Sequence, residues 1–170
     1  MSNPKIPGNF IQSEGLTFLA HLMGRLSDRF VRGCEQWFAV QGLIAPPRTS
    51  STLHVLHRQG SRSVTEIAGA INQSHPLVIN WVRQLKALEL VEATSDPEDR
   101  RRTIVSLTER GTAEVIRLLE ADKVIARAYQ TLLQQAGAPV FDALWRIEAA
   151  TRDQSFFDRL VEADEGGTER

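Results

Sequence analysis

The sequence predicts a mainly α-helical protein with one small β-hairpin. Apolar residues recur at three- and four-residue spacing over several long stretches, which is typical of amphipathic helices. A capping-box sequence opens a pair of short helices, and two short apolar stretches flank an arginine-rich turn. With 170 residues, of which 42% are hydrophobic, the chain is long enough to bury a core.

The first helix is predicted between an extended N-terminal arm, residues 1–12, and Gly42, a residue suited to ending a helix. The prolines of APPRTSS then favour a linker and the first turn of a second helix, which ends near Gly60. The apolar stripe of the first helix consists of Leu19, Leu22, Met23, Leu26, Phe30, Cys34, Trp37 and Phe38.

A helix-turn-helix is predicted next. In the sequence SVTE, Ser63 can cap a backbone N–H while Glu66 reaches back to the start of the helix. This short helix stops at Asn72, which tolerates left-handed backbone geometry, and Ser74 starts another helix with Val78 at the centre of its inward stripe. Two helices joined by so short a turn have the spacing of a helix-turn-helix.

The outward face of this second helix carries side chains that can read DNA. Asparagine pairs with adenine and arginine with guanine in the major groove, and isoleucine can contact a thymine methyl group. Ser74 at the helix start suits contacts to phosphates or base edges. The alternative is an ordinary polar surface helix. At 100° per residue, the residues turned away from Val78 are His75, Pro76, Ile79, Asn80 and Arg83.

The acidic turn DPEDRRR, residues 96–102, lies between two predicted strands and suggests a wing that contacts DNA. Asp99 and Arg101 are two residues apart, so the carboxylate can brace the guanidinium on one side of an extended backbone. A braced arginine loses less entropy on entering a narrow minor groove, where the potential is most negative. The alternative is a solvated hairpin tip. The densest basic cluster of the chain is Arg100, Arg101 and Arg102.

Two further helices are predicted, one from about Thr108 to Gly137 and one from about residue 140 to residue 160. The chain is therefore divided into an N-terminal arm with the first helix (1–45), a DNA-binding lobe (46–110), C-terminal helices (111–160) and a polar tail that is expected to be disordered (161–170).

The stretch SVTEIAGAINQSHPLVINWVRQLKALELVEATSDPEDRRRTIVSLTERG resembles the winged helix-turn-helix of the MarR family of transcriptional regulators, most specifically in DPEDRR and VSLTERG. The order of elements extends the resemblance over most of residues 13–160. It implies a homodimer formed by the first and last helices, bound to a pseudo-palindromic double-stranded DNA operator. Recognition helices would enter successive major grooves and wings the minor grooves. The wing's aspartate–arginine pair corresponds to Asp99 and Arg101, and the recognition helix to residues 74–88.

Three positions depart from the family pattern and bear on the target sequence. Glu89 stands where the family usually has glycine, at the turn into the wing. Pro76 stands where a serine or threonine is frequent, and Ile79 where a threonine is common.

The resemblance also implies an effector, a small aromatic or phenolic anion bound between the dimerisation helices and the DNA-binding lobe. Such an effector would make the chain a ligand-responsive regulator, most simply a repressor. The candidate contacts by position are His21, Arg25, Trp37, His54 and Arg58.

Other functions have weaker support. An interaction protein that keeps the winged fold without binding DNA is favoured by the net charge of −1 and by the balance of acidic and basic residues in 74–110. Cys34 could sense peroxides, but it lies on an apolar stripe and no second cysteine can resolve it. His54 and His57 lack the further ligands of a metal site, so no metal or cofactor is expected.

No enzyme, membrane or secretory function is expected. The sequence has no nucleophile elbow, glycine-rich phosphate loop or carboxylate–histidine constellation. No apolar run approaches the roughly 18 residues of a membrane span, and the opening MSNPKIPGNFIQ is unlike a signal peptide. A single cysteine excludes an internal disulfide framework, so a cytoplasmic protein is expected.

Overall fold

The computed structural model describes residues 9–96, 99, 102–137 and 139–167. The predicted class, mainly α with a small β-wing, is confirmed. Two 3-10 turns, Gly15–Phe18 and Pro47–Thr49, precede the second and third helices. The elements of the described residues are α1 (Phe10–Ser13), α2 (Leu19–Gln41), α3 (Ser50–Gln59), β1 (Arg62–Ser63), α4 (Val64–Ala70), α5 (His75–Ala87), β2 (Val91–Ser95), β3 (Thr103–Leu107), α6 (Glu109–Ala136), α7 (Val140–Asp153) and α8 (Phe156–Gly167).

The chain divides into two compact units, Met1–Asp122 and Lys123–Arg170. The boundary falls inside α6, later than the boundary at residue 110 that the sequence suggested. All buried residues of the described part lie in the first unit. In the second unit, residues 123–137 and 139–166 are half-buried or exposed. No helix among the described residues is long and apolar enough to cross a membrane.

The core of the first unit is built from the predicted apolar stripes. Each fully buried leucine or valine contributes about 1.5–3 kcal/mol to folding, so the stripes of α3, α5 and α6 provide much of the stability of this unit. The largest buried apolar side chains are Leu53 of α3, Ile67 of α4, Val78 and Leu85 of α5, Leu90, Val105 of β3, and Val115 and Leu118 of α6.

The helix-turn-helix begins with the predicted capping box. Ser63 Oγ accepts a hydrogen bond from the N–H of Glu66 at 3.3 Å, and Glu66 Oε2 accepts one from the N–H of Ser63 at 2.8 Å. The turn between α4 and α5 contains Asn72 in the left-handed region, with φ of 50°. Its N–H donates to the carbonyl of Gly69, which helps to close the end of α4.

The small sheet is antiparallel in the order β1–β3–β2. β2 and β3 form the predicted hairpin, in which Val91 pairs with Leu107 and Ser95 with Thr103. The third strand, β1, pairs Ser63 with Ile104. The sequence did not predict it, because two residues are too few to show alternation. β1 joins the wing directly to the start of α4.

The junction between the wing and α6 requires glycine at one position. A Cβ atom on Gly111 would lie 1.8 Å from the carbonyl oxygen of Leu90, so no side chain fits there. Thr108 Oγ1 donates to the carbonyl of Glu89 at 2.7 Å and accepts from the N–H of Gly111 at 2.9 Å. Glu89 takes a left-handed backbone, with φ of 59°, and its carboxylate pairs with Arg110 at 2.8 Å.

One carboxylate of α6 holds the loop between α2 and α3. Glu114 is buried, and its Oε1 accepts hydrogen bonds from the N–H groups of Ile44 and Ala45. Arg117 lies beside Glu114 and donates to the carbonyl of Gln41. These contacts provide hydrogen-bond partners for backbone groups at the end of α2 and in the loop that follows it.

The C-terminal region differs from its sequence prediction. The single helix predicted over 140–160 is wrong, because α7 ends at Asp153 and Gln154 is extended, with φ of −140°. Ser155 Oγ then accepts from the N–H of Asp158 at 3.2 Å and donates to its carboxylate at 2.6 Å, which starts α8. α8 continues to Gly167, inside the stretch that was expected to be a disordered tail.

Candidate nucleic-acid interface

The face of α5 opposite its buried stripe is solvent-exposed. Val78, Val82 and Leu85 are buried and hold this helix against α4 and β2. Ile79 is unusual for a solvent-facing position, since it is apolar and its side chain is 38% exposed. All five residues that the sequence assigns to the outward face are exposed, namely His75, Pro76, Ile79, Asn80 and Arg83.

The polar side chains on this face have no partner in the described part of the chain. Ser74 occupies the N-cap position of α5, but its side chain makes no capping hydrogen bond. His75, Asn80 and Arg83 likewise make no hydrogen bond or ion pair with the described residues. Their donors and acceptors are therefore directed at solvent, as the side chains of a helix that reads base edges must be.

The described part of the wing is closed by main-chain hydrogen bonds. The N–H of Asp96 donates to the carbonyl of Arg102 at 3.0 Å, and the N–H of Arg102 donates to the carbonyl of Asp99 at 2.8 Å. Asp99 is half-buried. Arg100 and Arg101, both predicted to contact DNA, lie outside the described residues.

Arg102 is engaged with two carboxylates. Its Nη2 lies 3.3 Å from Glu66 Oε2, and its Nη1 lies 3.6 Å from Asp96 Oδ2. The sequence predicted Arg102 as a DNA contact and did not identify either carboxylate as its partner. No local pattern could have done so for Glu66, because 36 residues separate it from Arg102.

Glu66 is ionised at neutral pH. The hydrogen bond from the Ser63 hydroxyl has the largest effect in lowering the pKa of Glu66, followed by the one from the Ser63 backbone. Burial opposes these hydrogen bonds and raises the pKa of Glu66, while Arg102 and Arg62 each lower it by a smaller effect. Arg102 therefore faces a charged carboxylate rather than a neutral acid.

A groove of about 380 Å³ runs along α2. It brings together two of the predicted effector contacts, His21 and Arg25, and adds Gly24, Asp28 and Arg32. Asp28 is already paired with Arg48 at 2.7 Å, which leaves the lining with an excess of positive charge. Arg32 was missed in the sequence, although it continues the helical spacing of His21, Arg25 and Asp28.

The other predicted effector contacts do not line this groove. Trp37 is half-buried on α2, and Arg58 is exposed on α3. His54 Nε2 lies 3.0 Å from Asp122 Oδ2, an acidic partner that the sequence did not indicate.

Four buried polar atoms of α2 and α3 have no hydrogen-bond partner among the described residues. Buried polar groups in proteins are nearly always paired with protein or ordered water, so these atoms can accept a water or a ligand as partner. They are Arg25 Nε, Trp37 Nε1, Ser50 Oγ and Thr52 Oγ1.

Cys34 is half-buried on α2. In the described ranges, no group of three or more histidine, cysteine, aspartate or glutamate residues could hold a metal ion.

Comparison with known sequences identifies one family. Residues 46–102 match the sequence model of the MarR family. The HTH-type transcriptional repressor NicR of Pseudomonas putida is 42% identical over 62 residues, which cover 36% of this chain and 39% of the repressor. The match therefore spans well under half of the repressor's length.

Comparison with solved structures shows the same fold. The repressor CouR bound to a 23-mer DNA duplex has a TM-score of 0.61 at 27% identity, covering 89% of this chain and 99% of CouR. MepR of S. aureus, solved in a DNA complex, has a TM-score of 0.60 at 21% identity, covering 81% and 98% of the two chains. BpsR of Bordetella bronchiseptica, whose DNA binding is regulated by 6-hydroxynicotinic acid, has a TM-score of 0.52 at 24% identity, covering 71% and 98%.

Proposed function

We propose that this chain, whose residues 46–102 match the MarR family, is a dimeric, sequence-specific DNA-binding repressor that responds to a small anion. The observation that carries the proposal is the outward face of α5. Its polar side chains are exposed and have no partner in the described part of the chain, although a buried stripe fixes the helix.

The recognition helix α5 is proposed to enter the major groove. Asn80 and Arg83 supply the bidentate groups that pair with adenine and guanine, and Ile79 supplies an apolar contact for a thymine methyl group. Ser74 and His75 stand at the N-terminus of α5, where phosphate oxygens are favoured. Asp99 and Arg101 are proposed to act in the wing as the braced pair that enters the minor groove, beside Arg100.

A second copy of the chain is proposed to cover the apolar faces of the C-terminal helices. Phe141 and Trp145 are exposed on α7, and their rings meet edge to face with centroids 6.2 Å apart. Phe156 and Phe157 are exposed on α8. Exposed apolar patches of this kind mark interfaces. A two-fold dimer also suits the operator, because two recognition helices about 34 Å apart can occupy successive major grooves.

The effector is proposed to be a small aromatic or phenolic carboxylate. The excess of positive charge along the α2 groove, from Arg25 and Arg32, favours an anion, and His21 lines the same groove. In the groove, the unpartnered Arg25 Nε offers a donor to it. Trp37, whose Nε1 also has no partner among the described residues, remains a proposed contact by its position on α2. His54 and Arg58 remain proposed contacts by their position on α3. BpsR is regulated by an acid of this class, which makes 6-hydroxynicotinic acid a reasonable first probe.

Repression would be relieved when the effector shifts the dimer from the conformation that binds DNA to one that does not. An effector that favours another separation of the two recognition helices must lower DNA affinity, and DNA must lower effector affinity by the same factor. Tight binding of an effector with an unchanged DNA dissociation constant would contradict this mechanism.

The proposed function is tested by fluorescence anisotropy of the protein on duplex DNA from its own upstream region and on a scrambled duplex, at several salt concentrations. A specific regulator should prefer the upstream duplex by about 10³-fold or more. If both duplexes bind weakly and equally, duplexes selected from random sequence should replace them. Failure to enrich any sequence would overturn the proposal.

Base reading is tested by Asn80→Ala on duplexes that vary one base pair at a time. The variant should lose roughly 1–3 kcal/mol of binding energy at one base pair only. Gln135→Ala removes a side-chain amide from α6 instead, and it should leave the affinity for every duplex unchanged. Equal losses on specific and random DNA for Asn80→Ala would argue against base reading.

A second candidate is a winged-helix module that binds proteins. The pairing of Arg102 with two carboxylates favours it, because it removes one positive charge from the face offered to DNA. This candidate predicts weak and equal binding to all duplexes at every salt concentration.

A further inference from the structure

We propose that Arg102 is a positioning residue that locks the wing onto the helix-turn-helix by bridging Glu66 and Asp96, and that it is not a DNA contact. The role rests on the proposed function, since the wing is positioned for DNA. The bridge of Glu66, Arg102 and Asp96 is called the wing clamp below.

The clamp spans the full width of the small sheet. Arg102 immediately precedes β3, the middle strand. Glu66 lies in the first turn of α4, directly after the edge strand β1, and Asp96 directly follows the other edge strand, β2. One terminal nitrogen of the guanidinium thus contacts the residue that follows edge strand β2, and the other contacts α4 next to edge strand β1. A planar group with several fixed donors is suited to such a bridge.

One end of the clamp is rigid. Glu66 Oε2 accepts from the N–H of Ser63 at 2.8 Å and from the Ser63 hydroxyl at 2.6 Å, in addition to Arg102. These bonds belong to the capping box of α4, and α4 is anchored by the buried side chains of Val64 and Ile67. The carboxylate cannot follow a moving wing, so Arg102 must hold the wing to a fixed point.

The charges make release of Arg102 to a phosphate unfavourable. If the guanidinium moved to DNA, two carboxylates would be left without it near the polyanion. About half of the Arg102 side chain is exposed, however, so each ion pair alone is weak. The clamp should therefore act on the orientation of the wing, with modest effects on affinity.

Glu66→Gln tests the clamp through the sign of its effect on DNA binding. Glutamine can still complete the capping box, and the substitution removes a negative charge from the DNA-binding lobe. Electrostatics alone predicts stronger DNA binding. The clamp predicts binding about three- to tenfold weaker, the range of a lost exposed ion pair with added disorder of the wing. Arg102→Gln should weaken binding similarly, and the double variant no further.

Glu92→Gln is the matched control. Glu92 is exposed on β2 of the same hairpin, and its substitution removes the same charge without touching the clamp. It should leave DNA affinity unchanged or slightly raised.

Hydrogen exchange tests the clamp without DNA. The N–H groups of Asp96 and Arg102 close the turn at the tip of the hairpin, so both should exchange several-fold faster in Glu66→Gln and in Arg102→Gln. Glu92→Gln should not change them. Urea unfolding of each variant separates local opening of the hairpin from global loss of stability.

The outcomes distinguish the clamp from the proposed function. Stronger DNA binding by Glu66→Gln, or unchanged exchange at the N–H groups of Asp96 and Arg102, overturns the clamp even if the wild type binds its operator tightly. A wild type with no duplex preference overturns the proposed function and the clamp's role in DNA binding. Faster exchange would then still show that Arg102 anchors the wing.

Discussion

The two compact units bury their apolar side chains differently. The first unit, to Asp122, encloses fully buried leucines and valines from α3, α5, β3 and α6. The second unit has helices as amphipathic as those of the first, yet no described residue between 123 and 166 is buried. The first unit therefore has a core of its own. In the second, the apolar side chains stay half-buried or exposed, and the proposed dimer would cover them.

The largest effect is expected from breaking the second unit's apolar face. The double substitution Phe141→Glu with Trp145→Glu should convert the proposed dimer to a monomer and weaken operator binding by about 10²–10⁴-fold, because two half-sites are no longer engaged together. Sedimentation velocity and anisotropy measure the two effects. Arg146→Glu on the same helix is the control. A variant that remains dimeric would place the interface elsewhere.

In the first unit, Gly111→Ala should lower the free energy of unfolding, and by the same amount at every protein concentration. The added Cβ meets the carbonyl of Leu90 at 1.8 Å, so the backbone must shift, at a cost of at least about 2 kcal/mol. Helix propensity alone predicts a gain of about 1 kcal/mol. Gly33→Ala in α2, where nothing lies within 4 Å, should show that gain. Urea unfolding distinguishes the two signs, and a stabilised Gly111→Ala would show that the junction is loosely packed.

A smaller effect is expected at Glu89. The left-handed backbone costs a non-glycine residue about 1–2 kcal/mol, against which the exposed pair with Arg110 contributes at most about 1 kcal/mol. Glu89→Gly should therefore raise the unfolding free energy by up to about 1 kcal/mol. Arg110→Gln removes only the ion pair, so its change in unfolding free energy measures how much the pair with Glu89 contributes. A loss of stability in Glu89→Gly larger than that in Arg110→Gln would mean that the strain is absent.

The smallest effect concerns pH. Because the pKa of Glu66 is lowered by folding, its stabilisation is complete above the ordinary value of 4.5 and is lost as the pH falls below it. Wild type and Glu66→Gln should therefore differ in Tm at pH 6 and converge toward pH 3. The difference should not vary with protein concentration, since Glu66 lies in the first unit. A constant gap across this pH range would contradict the role of its charge.

What the sequence could predict depended on local spacing. The stripe through Val78 placed the outward face of α5, because a helix of 13 residues repeats its period several times. The capping box of Ser63 and Glu66 was found because both partners lie three residues apart. The same signal at Ser155 and Asp158 would have located the break between α7 and α8.

What could not be predicted depends on the packing of distant segments. Arg102 meets Glu66, and Glu114 meets Ala45, only after the helices and the sheet are assembled. In sequence, Glu66 was noted only as a helix cap and Arg102 only as a DNA contact, and nothing marked Glu114 or Ala45. The groove on α2 is intermediate: His21 and Arg25 were chosen by position, whereas the extension to Arg32 follows from the surface of the folded helix.

Glu114 limits how the recognition lobe can be transplanted. Residue 114 lies beyond the stretch 46–102 that matches the family, yet its carboxylate is the acceptor for two main-chain donors of the loop that leads into that stretch. A chimera that joined residues 42–110 to a foreign scaffold would leave the buried N–H of Ala45 without its acceptor, at a cost of about 1–3 kcal/mol. It would also lose Val115 and Leu118 from the core. The portable module for exchanging DNA specificity between regulators therefore includes the first turns of α6, to about residue 122.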